Sequence, residues 1–467
     1  MTVTGSDLAV KGGILVNGRE MFRADLFIKD GRVESVEPAE GLKTAARIID
    51  ASGKLVLPGI IDAHLHPVYA DRMDTLSRSA AFGGVTTLIP FIGAIKAWGQ
   101  TGTLLDAVLD FIKEGEKDSL IDFGVHCSLC HDDMETVAEV IPRIADLGVI
   151  SFKAFMAYSK RGMKLSDQEL MKVMEIVSAS QAIFAVHAES GDILDYLEEN
   201  YAARSMIGPE YYLPTHPNIT EAEAVFRVLT LAQVTNCPMY LPHLSAAESL
   251  DVVRLFRKWG GLPALYTETC THYLTLTDAE MKKMGTLAKV GPPLRQARDV
   301  EAMWDAVAEG LIDVIASDTA GYLMKAKEPV WGDVYKAPSG LPGMETVFTV
   351  TYDEAVNKGR ITLPKLIQLM CENPAHIFGL YPQKGVLEPG SDADLVVFDP
   401  TAAYTVSVKD HHGKVDYSMY EGRRGLGRPT LVMQRGQVLV EGGELRAASG
   451  QGKYLPGRKF KSEESSK

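Results

Sequence analysis

The sequence predicts an α/β protein: a (β/α)8 barrel beside a small β domain assembled from both ends of the chain. Three observations predict it. From Leu57 onward, eight apolar strand-like runs alternate with longer helical patterns. No Gly-rich dinucleotide fingerprint follows the first run, which disfavours the rival open, doubly wound sheet. Both chain ends consist of short alternating strands with tight turns, and neither end alone holds enough strands to be stable in water. The expected division is 1–56 and 385–467 for a composite β-sandwich, and 57–384 for the barrel.

Taken in order, GILVNGRE, ADLFIKD and GRVESVE are the opening strands, separated by Gly or Asp-Gly turns. The barrel strands are expected at 59–66, 85–91, 122–128, 149–158, 182–189, 238–245, 263–273 and 313–318. Helical stretches between them include 104–117, 135–147, 167–180, 221–235, 247–259 and 300–309. Ser166 with Glu169, and Thr220 with Glu223, have capping-box spacing. ADLVVFDP, YTVSVKD, TLVMQRGQVLV and GGELRAA return to the opening texture, and the last basic segment reads as an arm or a frayed tail.

Composition narrows the function. At 467 residues, 46% hydrophobic and 23% charged, the chain is an ordinary globular one and not a disordered one. A formal charge of −13 repels nucleic acid and anionic membranes, so neither is an expected partner. No apolar stretch reaches the ~18 residues of a membrane helix. The first residues lack a basic stretch followed by an apolar core, and five cysteines make no disulfide framework, so the expected setting is cytoplasmic. Cys127, Cys130 and His131 spell the haem-attachment pattern C-x-x-C-H, but that chemistry needs export, and buried or loop thiols are the preferred reading.

Polar groups recur at the C-terminal ends of the predicted barrel strands, where barrel chemistry resides. His64 and His66 end the first in DAHLH, Lys153 lies in the fourth, His187 ends the fifth, His243 the sixth and Asp318 the eighth. A lone histidine there is most often structural. His64 and His66 are two apart, however, so they leave the same face of a strand, and four histidines with an aspartate at one mouth suit divalent metal. Five ligands exceed one tetrahedral site, so two metals with open positions fit better. Lys153 lies among Phe152, Ala154, Phe155 and Met156, where a bare ammonium is costly. It is either a snorkelling or paired lysine, or a lysine carrying CO2 as an anionic carbamate. Charge balance favours the carbamate, which offsets two divalent ions that an ammonium would oppose.

The motifs DAHLHP, FKAFMAY, VHAES, PHLS, ETCTHYL, VGPPLR, IASD and GLPGMET, in this order, resemble the cyclic amidohydrolases: hydantoinases, dihydropyrimidinases, allantoinases and dihydroorotases. The likeness runs through MCENPAHIFGLYPQKGVLEPGSDADLVVFD and covers nearly the whole chain. It implies a metal-dependent barrel with a composite β-sandwich and a homo-oligomer, tetramer or dimer. It also implies that His64, His66 and Asp318 hold one metal and His187 and His243 the other, bridged by carboxylated Lys153. Zinc is the first choice, with manganese or cobalt as alternatives. Tyr158 would polarise the substrate carbonyl, and backbone groups at Gly291 and around Ser339 would grip the ring. Four departures stand out: Thr319 replaces a frequent histidine after the aspartate, Gly291 stands where the family often has Ser or another small residue, Ser339 stands where it often has Asn, and 91–103 lacks the family's usual pattern, which marks it as a specificity loop.

The expected reaction is hydrolysis of a small cyclic amide by a hydroxide bridging two metals, with Asp318 as general base and then acid. Hydantoinase is the first reading, with allantoinase or dihydropyrimidinase next. The rivals are a barrel deaminase or acyclic amidase, which usually lack the lysine, and a non-catalytic scaffolding homologue, which has no need of four converging imidazoles.

Overall fold

The computed structural model describes residues 6–39, 41, 43–330 and 332–460. It is a mixed α/β fold with a curled parallel sheet wrapped by helices and a separate β-rich sheet. Each run predicted as a parallel strand contains one. Ile60–Asp62 pairs with Val85–Leu88, which pairs with Asp122–Phe123. The same two segments continue as Phe91–Ile92 and His126–Ser128 and join Ser151–Phe155, Ile183–His187, Met239–Leu241, Leu265–Cys270 and Val314–Ala316 in a seven-stranded parallel sheet. A parallel bridge between Leu65 and Thr319, with the His66 N–H donating to the Thr319 carbonyl at 2.8 Å, lays the first segment beside the last.

These strands are buried on both faces, as parallel strands under crossover helices are, which is why they read as unbroken apolar runs. The helix Asp167–Ala179 begins at the predicted capping box: the Ser166 Oγ accepts from the Glu169 N–H, and the Glu169 carboxylate accepts from the Ser166 N–H. The second predicted box fails. Asn218–Thr235 starts a turn early behind Pro217, whose fixed φ suits a helix start, and the Thr220 hydroxyl donates to the Pro217 carbonyl. Ala297–Glu309 also starts early, on a box of Gln296 and Asp299. The predicted seventh strand ends at Cys270, and Thr271–Thr275 is a short helix.

The second sheet has ten strands drawn from both chain ends. Its seam is Leu55–Pro58 lying antiparallel to Leu395–Phe398. An apolar cluster with Leu8, Leu26, Ile28, Val56, Leu395, Val397 and Met433 packs the two ends together. At the base of the parallel sheet, where Asp122 opens its strand, Lys384 Nζ meets Asp122 at 2.7 Å, Asp392 at 3.0 Å and Asp394 at 2.6 Å. The C-terminal segment is an arm as far as residue 460. Leu455 N–H donates to Phe123, Gly457 to Gly148 and Phe460 to Gln181, so it underlies the starts of three strands. The rest of the predicted tail lies outside the described residues. Among the described residues no helix is long and apolar enough to cross a membrane.

Candidate active site

The opposite rim collects the predicted polar groups. Register explains much of the meeting: Phe155 pairs with His187, and Lys153 with Ala185, so Lys153 and His187 rise from adjacent strands toward one end. Tyr158, His243 and Asp318 have left-handed backbones, with φ of 67°, 43° and 45°. For residues with a Cβ this costs roughly 1–2 kcal/mol each, strain that clusters where side chains are aimed for function.

His64 Nδ1 lies 2.6 Å from Glu268 Oε1, so Nδ1 carries the proton and the Nε2 lone pair faces the mouth. That Nε2 is 3.2 Å from Asp318 Oδ1 and 3.4 Å from Lys153 Nζ. His66 Nε2 is 3.4 Å from the same Asp318 oxygen. On the other side Glu189 fixes His187 Nε2 at 2.8 Å, which turns His187 Nδ1 toward His243 Nε2, 3.1 Å away. The two halves adjoin, with the His64 and His243 ring centroids 5.2 Å apart.

The donor chemistry fits divalent metal. His64, His66 and Asp318 each offer a ligand atom, all within 4.8 Å of one another, and on the other side His187 Nδ1 and His243 Nε2 face each other without room for two protons. Burial holds the imidazoles of His64 at about 3 and His66 at about 4, against the pull of Asp318, so both are neutral and free to offer a lone pair. Burial would raise the Asp318 carboxyl, but His64 and His66 hold it well below the usual carboxylate range. Burial brings the Lys153 amine down to about 8, opposed by Asp318 and Glu268. Its Nζ also stands 4.2 Å from the centre of the Phe91 ring. A second set, Cys270, His272 and Asp318, also lies within ligand reach.

His66, Lys153, His187, His243 and Asp318 line a cavity of about 60 Å³ together with Trp98, Tyr158, Gly291 and Ser339; His64 lies beneath it. The Tyr158 ring packs 4.7 Å from that of His187. A Cβ at Gly291 would stand 2.5 Å from the Tyr158 hydroxyl and 3.3 Å from Ser339 Oγ, so glycine lets the phenol, the 291 backbone and the 339 loop converge. Lys327 holds the last two together: its buried Nζ donates to the carbonyls of Leu287, Lys289 and Gly340 at 3.1, 3.2 and 2.7 Å.

The predicted site residues His64, His66, Lys153, Tyr158, His187, His243, Gly291, Asp318 and Ser339 therefore all stand at or just beneath this mouth. The supporting residues were not singled out. Glu268 accepts from the Tyr240 hydroxyl and the His243 N–H as well as from His64. Glu221 accepts from the N–H groups of Ser245 and Ala246 and pairs with buried Arg295 at 3.0 Å, which fixes the turn after His243. Trp98 brings the 91–103 stretch to the site, its ring 5.4 Å from that of His66. The legible signal for Glu189 and Glu268 was a carboxylate inside or at the end of an apolar strand.

The profile described as Amidohydrolase family matches residues 55–439. The chain is 37% identical to the D-hydantoinase of Ralstonia pickettii, over 97% of this chain and 100% of that protein. It is 33% identical to the L-hydantoinase of Paenarthrobacter aurescens, over 97% and 99%. The crystal structure of dihydropyrimidinase from Brevibacillus agri matches with a TM-score of 0.91 at 31% identity, over 97% of this chain and 99% of that one.

Proposed function

The chain belongs to the amidohydrolase family, and from that premise we propose that it is a metal-dependent enzyme that hydrolyses the C–N bond of a cyclic amide, hydantoin first, with dihydropyrimidine and allantoin rings as alternatives. The observation that carries the reading is the inward convergence of His64, His66, Lys153, His187, His243 and Asp318, with Glu268 and Glu189 fixing two of the imidazoles.

His64, His66 and Asp318 would hold one divalent ion and His187 and His243 a second, with Lys153 as a carbamate between them. Zinc is the first choice, manganese or cobalt the alternatives. When bound, such ions polarise a carbonyl and lower the pKa of water from 15.7 toward ~7. The chain's own groups do the rest. Tyr158 donates its hydroxyl to the ring carbonyl oxygen as charge develops there. Asp318 takes the proton of the attacking water and returns it to the leaving ring nitrogen. Backbone groups at Gly291 and Ser339 hold the ring amide, and the narrow cavity orients it.

The finer architecture belongs to the same proposal. The Leu65–Thr319 bridge supports reading the parallel strands as a closed (β/α)8 barrel spanning 57–384, with 1–56 and 385–467 as one β-sandwich. Exposed Tyr196, Ile219, Val234 and Trp259 on neighbouring helices support a homo-oligomer. Five buried thiols without a disulfide fit the cytoplasm.

The test is a ring-opening assay on protein stripped by a chelator and reloaded with zinc, manganese or cobalt, with hydantoin, dihydrouracil, allantoin, dihydroorotate and a cyclic imide as substrates. Opening of hydantoin or dihydrouracil by the reloaded protein alone, at about two metals per chain, is the expected result. Full reloading with no ring opened would overturn the reading and favour the scaffolding alternative.

A further inference from the structure

The catalytic cavity opens into a larger one of about 550 Å³ and shares Tyr69, Trp98, Tyr158, Arg161 and Ser339 with it. The outer chamber has a charged lining. In a chain of net charge −13, it presents the cations Lys160, Arg161, Lys289 and Lys336 against the carboxylates Asp195 and Glu198.

Three of those cations are already engaged. Lys160 faces Asp195, Glu198 and Glu199 at 3.7, 3.8 and 3.3 Å. Lys336 pairs with Asp333 at 2.8 Å, and Lys289 donates to the Ala337 carbonyl at 2.8 Å. Arg161 differs. Among the described residues its guanidinium makes no hydrogen bond or ion pair, and its Cζ lies 5.6 Å from the centre of the Tyr158 ring.

Its placement is built into the loop. Arg161 is the last residue of a one-turn helix, Ser159–Arg161, whose ends are left-handed Tyr158 and Gly162. The Arg161 and Met163 N–H groups both donate to the Tyr158 carbonyl. Met163 is buried beside Trp98 and Phe155. The turn is thus anchored on both sides, and the exposed guanidinium between them lines both cavities, beside the phenol assigned to the reacting carbonyl.

We propose that Arg161 selects substrates whose ring carries a short arm ending in an anion, a carboxylate being the simplest case. This rests on the cyclic-amide reading and names its substrate class. The planar fork of a guanidinium matches a carboxylate, and Tyr69, Trp98 and Tyr322, which line the same chamber, cover the apolar stem of the arm.

The experiment compares hydantoins bearing a carboxyethyl, a carboxamidoethyl or an isobutyl arm on the metal-loaded enzyme. It measures kcat/KM for each ring and, by calorimetry, the Kd of each ring-opened product. The expected result is a preference for carboxylate over its amide isostere of about tenfold, in both readouts, that shrinks with added salt. Arg161→Gln should erase the ratio, Arg161→Lys keep part of it and Arg161→Glu invert it. A wild-type preference for the amide or isobutyl ring, or a carboxylate preference that survives Arg161→Gln, overturns the proposal. If the isobutyl ring is opened without any carboxylate preference, this inference fails and the hydrolase reading stands. If none of the three is opened while unsubstituted hydantoin, dihydrouracil or allantoin is, this inference fails and the hydrolase reading stands; if those are refused as well, both fall.

Discussion

Lys153 and Lys384 are equally buried, each 2% exposed, and their surroundings are opposite. At the base, Lys384 touches three carboxylates. Burial works against its charge, but Asp394, Asp122 and Asp392 outweigh it and hold the ammonium above the ordinary lysine range. At the mouth, the nearest polar atom recorded for Lys153 is an imidazole nitrogen, and burial wins. An uncompensated buried charge costs several kcal/mol, so a fold that matches one lysine fully and leaves the other unmatched separates two jobs: the base is closed for stability, and the rim is held ready for something to be added.

The sharpest way to break this contrast is to delete each lysine. Lys153→Ala should lose most bound metal and more than ~10³-fold in kcat while melting near the wild-type temperature. Metal analysis beside a melting curve decides it, and full metal content would remove Lys153 from the centre. Lys384→Met should do the reverse, costing about 3–5 kcal/mol of stability by denaturant titration and leaving turnover per folded molecule intact. Because the folded pKa is raised, this contribution is complete below about pH 10 and is lost only as pH climbs through the raised value. The stability gap between wild type and variant should therefore be flat from about pH 7 to 9; a gap that closes in that window would contradict the pairing.

Two smaller changes sharpen the rim alone. Tyr158→Phe should keep its metal and lose about 10²–10³-fold in kcat, the usual cost of one oxyanion donor; unchanged turnover would take the phenol out of the mechanism. Gly291→Ala should lower kcat/KM about tenfold, because a methyl 2.5 Å from the Tyr158 hydroxyl must displace it. Steady-state kinetics with a full complement of metal would show this, and an unaffected variant would mean that the phenol need not sit there.

The contrast also explains what was legible in the amino-acid order. Rim residues announce themselves because a histidine or lysine at the end of an apolar run violates the strand pattern, as His64, His187 and Lys153 do. The base network does not: Asp122 lies 262 residues from Lys384, and both, like Asp394, look like ordinary surface charges until the fold joins them. Gly291 and Ser339 carry no chemistry of their own and were found through resemblance alone. Thr220 and Glu223 matched a local pattern that Pro217 pre-empted, and Glu223 instead accepts from the Ser190 hydroxyl. Local rules recover elements that local forces decide; the Glu268 brace depends on strands that only the finished sheet makes neighbours.

The seam between Leu55–Pro58 and Leu395–Phe398 has a consequence for synthesis. The N-terminal ribbon is translated first, yet the strand that covers its edge follows roughly 340 residues later, a wait of about 20–70 s at common translation rates. Throughout that interval the apolar segment Leu55–Pro58 is without the strand that covers it in the finished fold. Expression in a host should therefore depend on slow, cool growth or abundant trigger-type chaperones more than on the stability of the finished molecule.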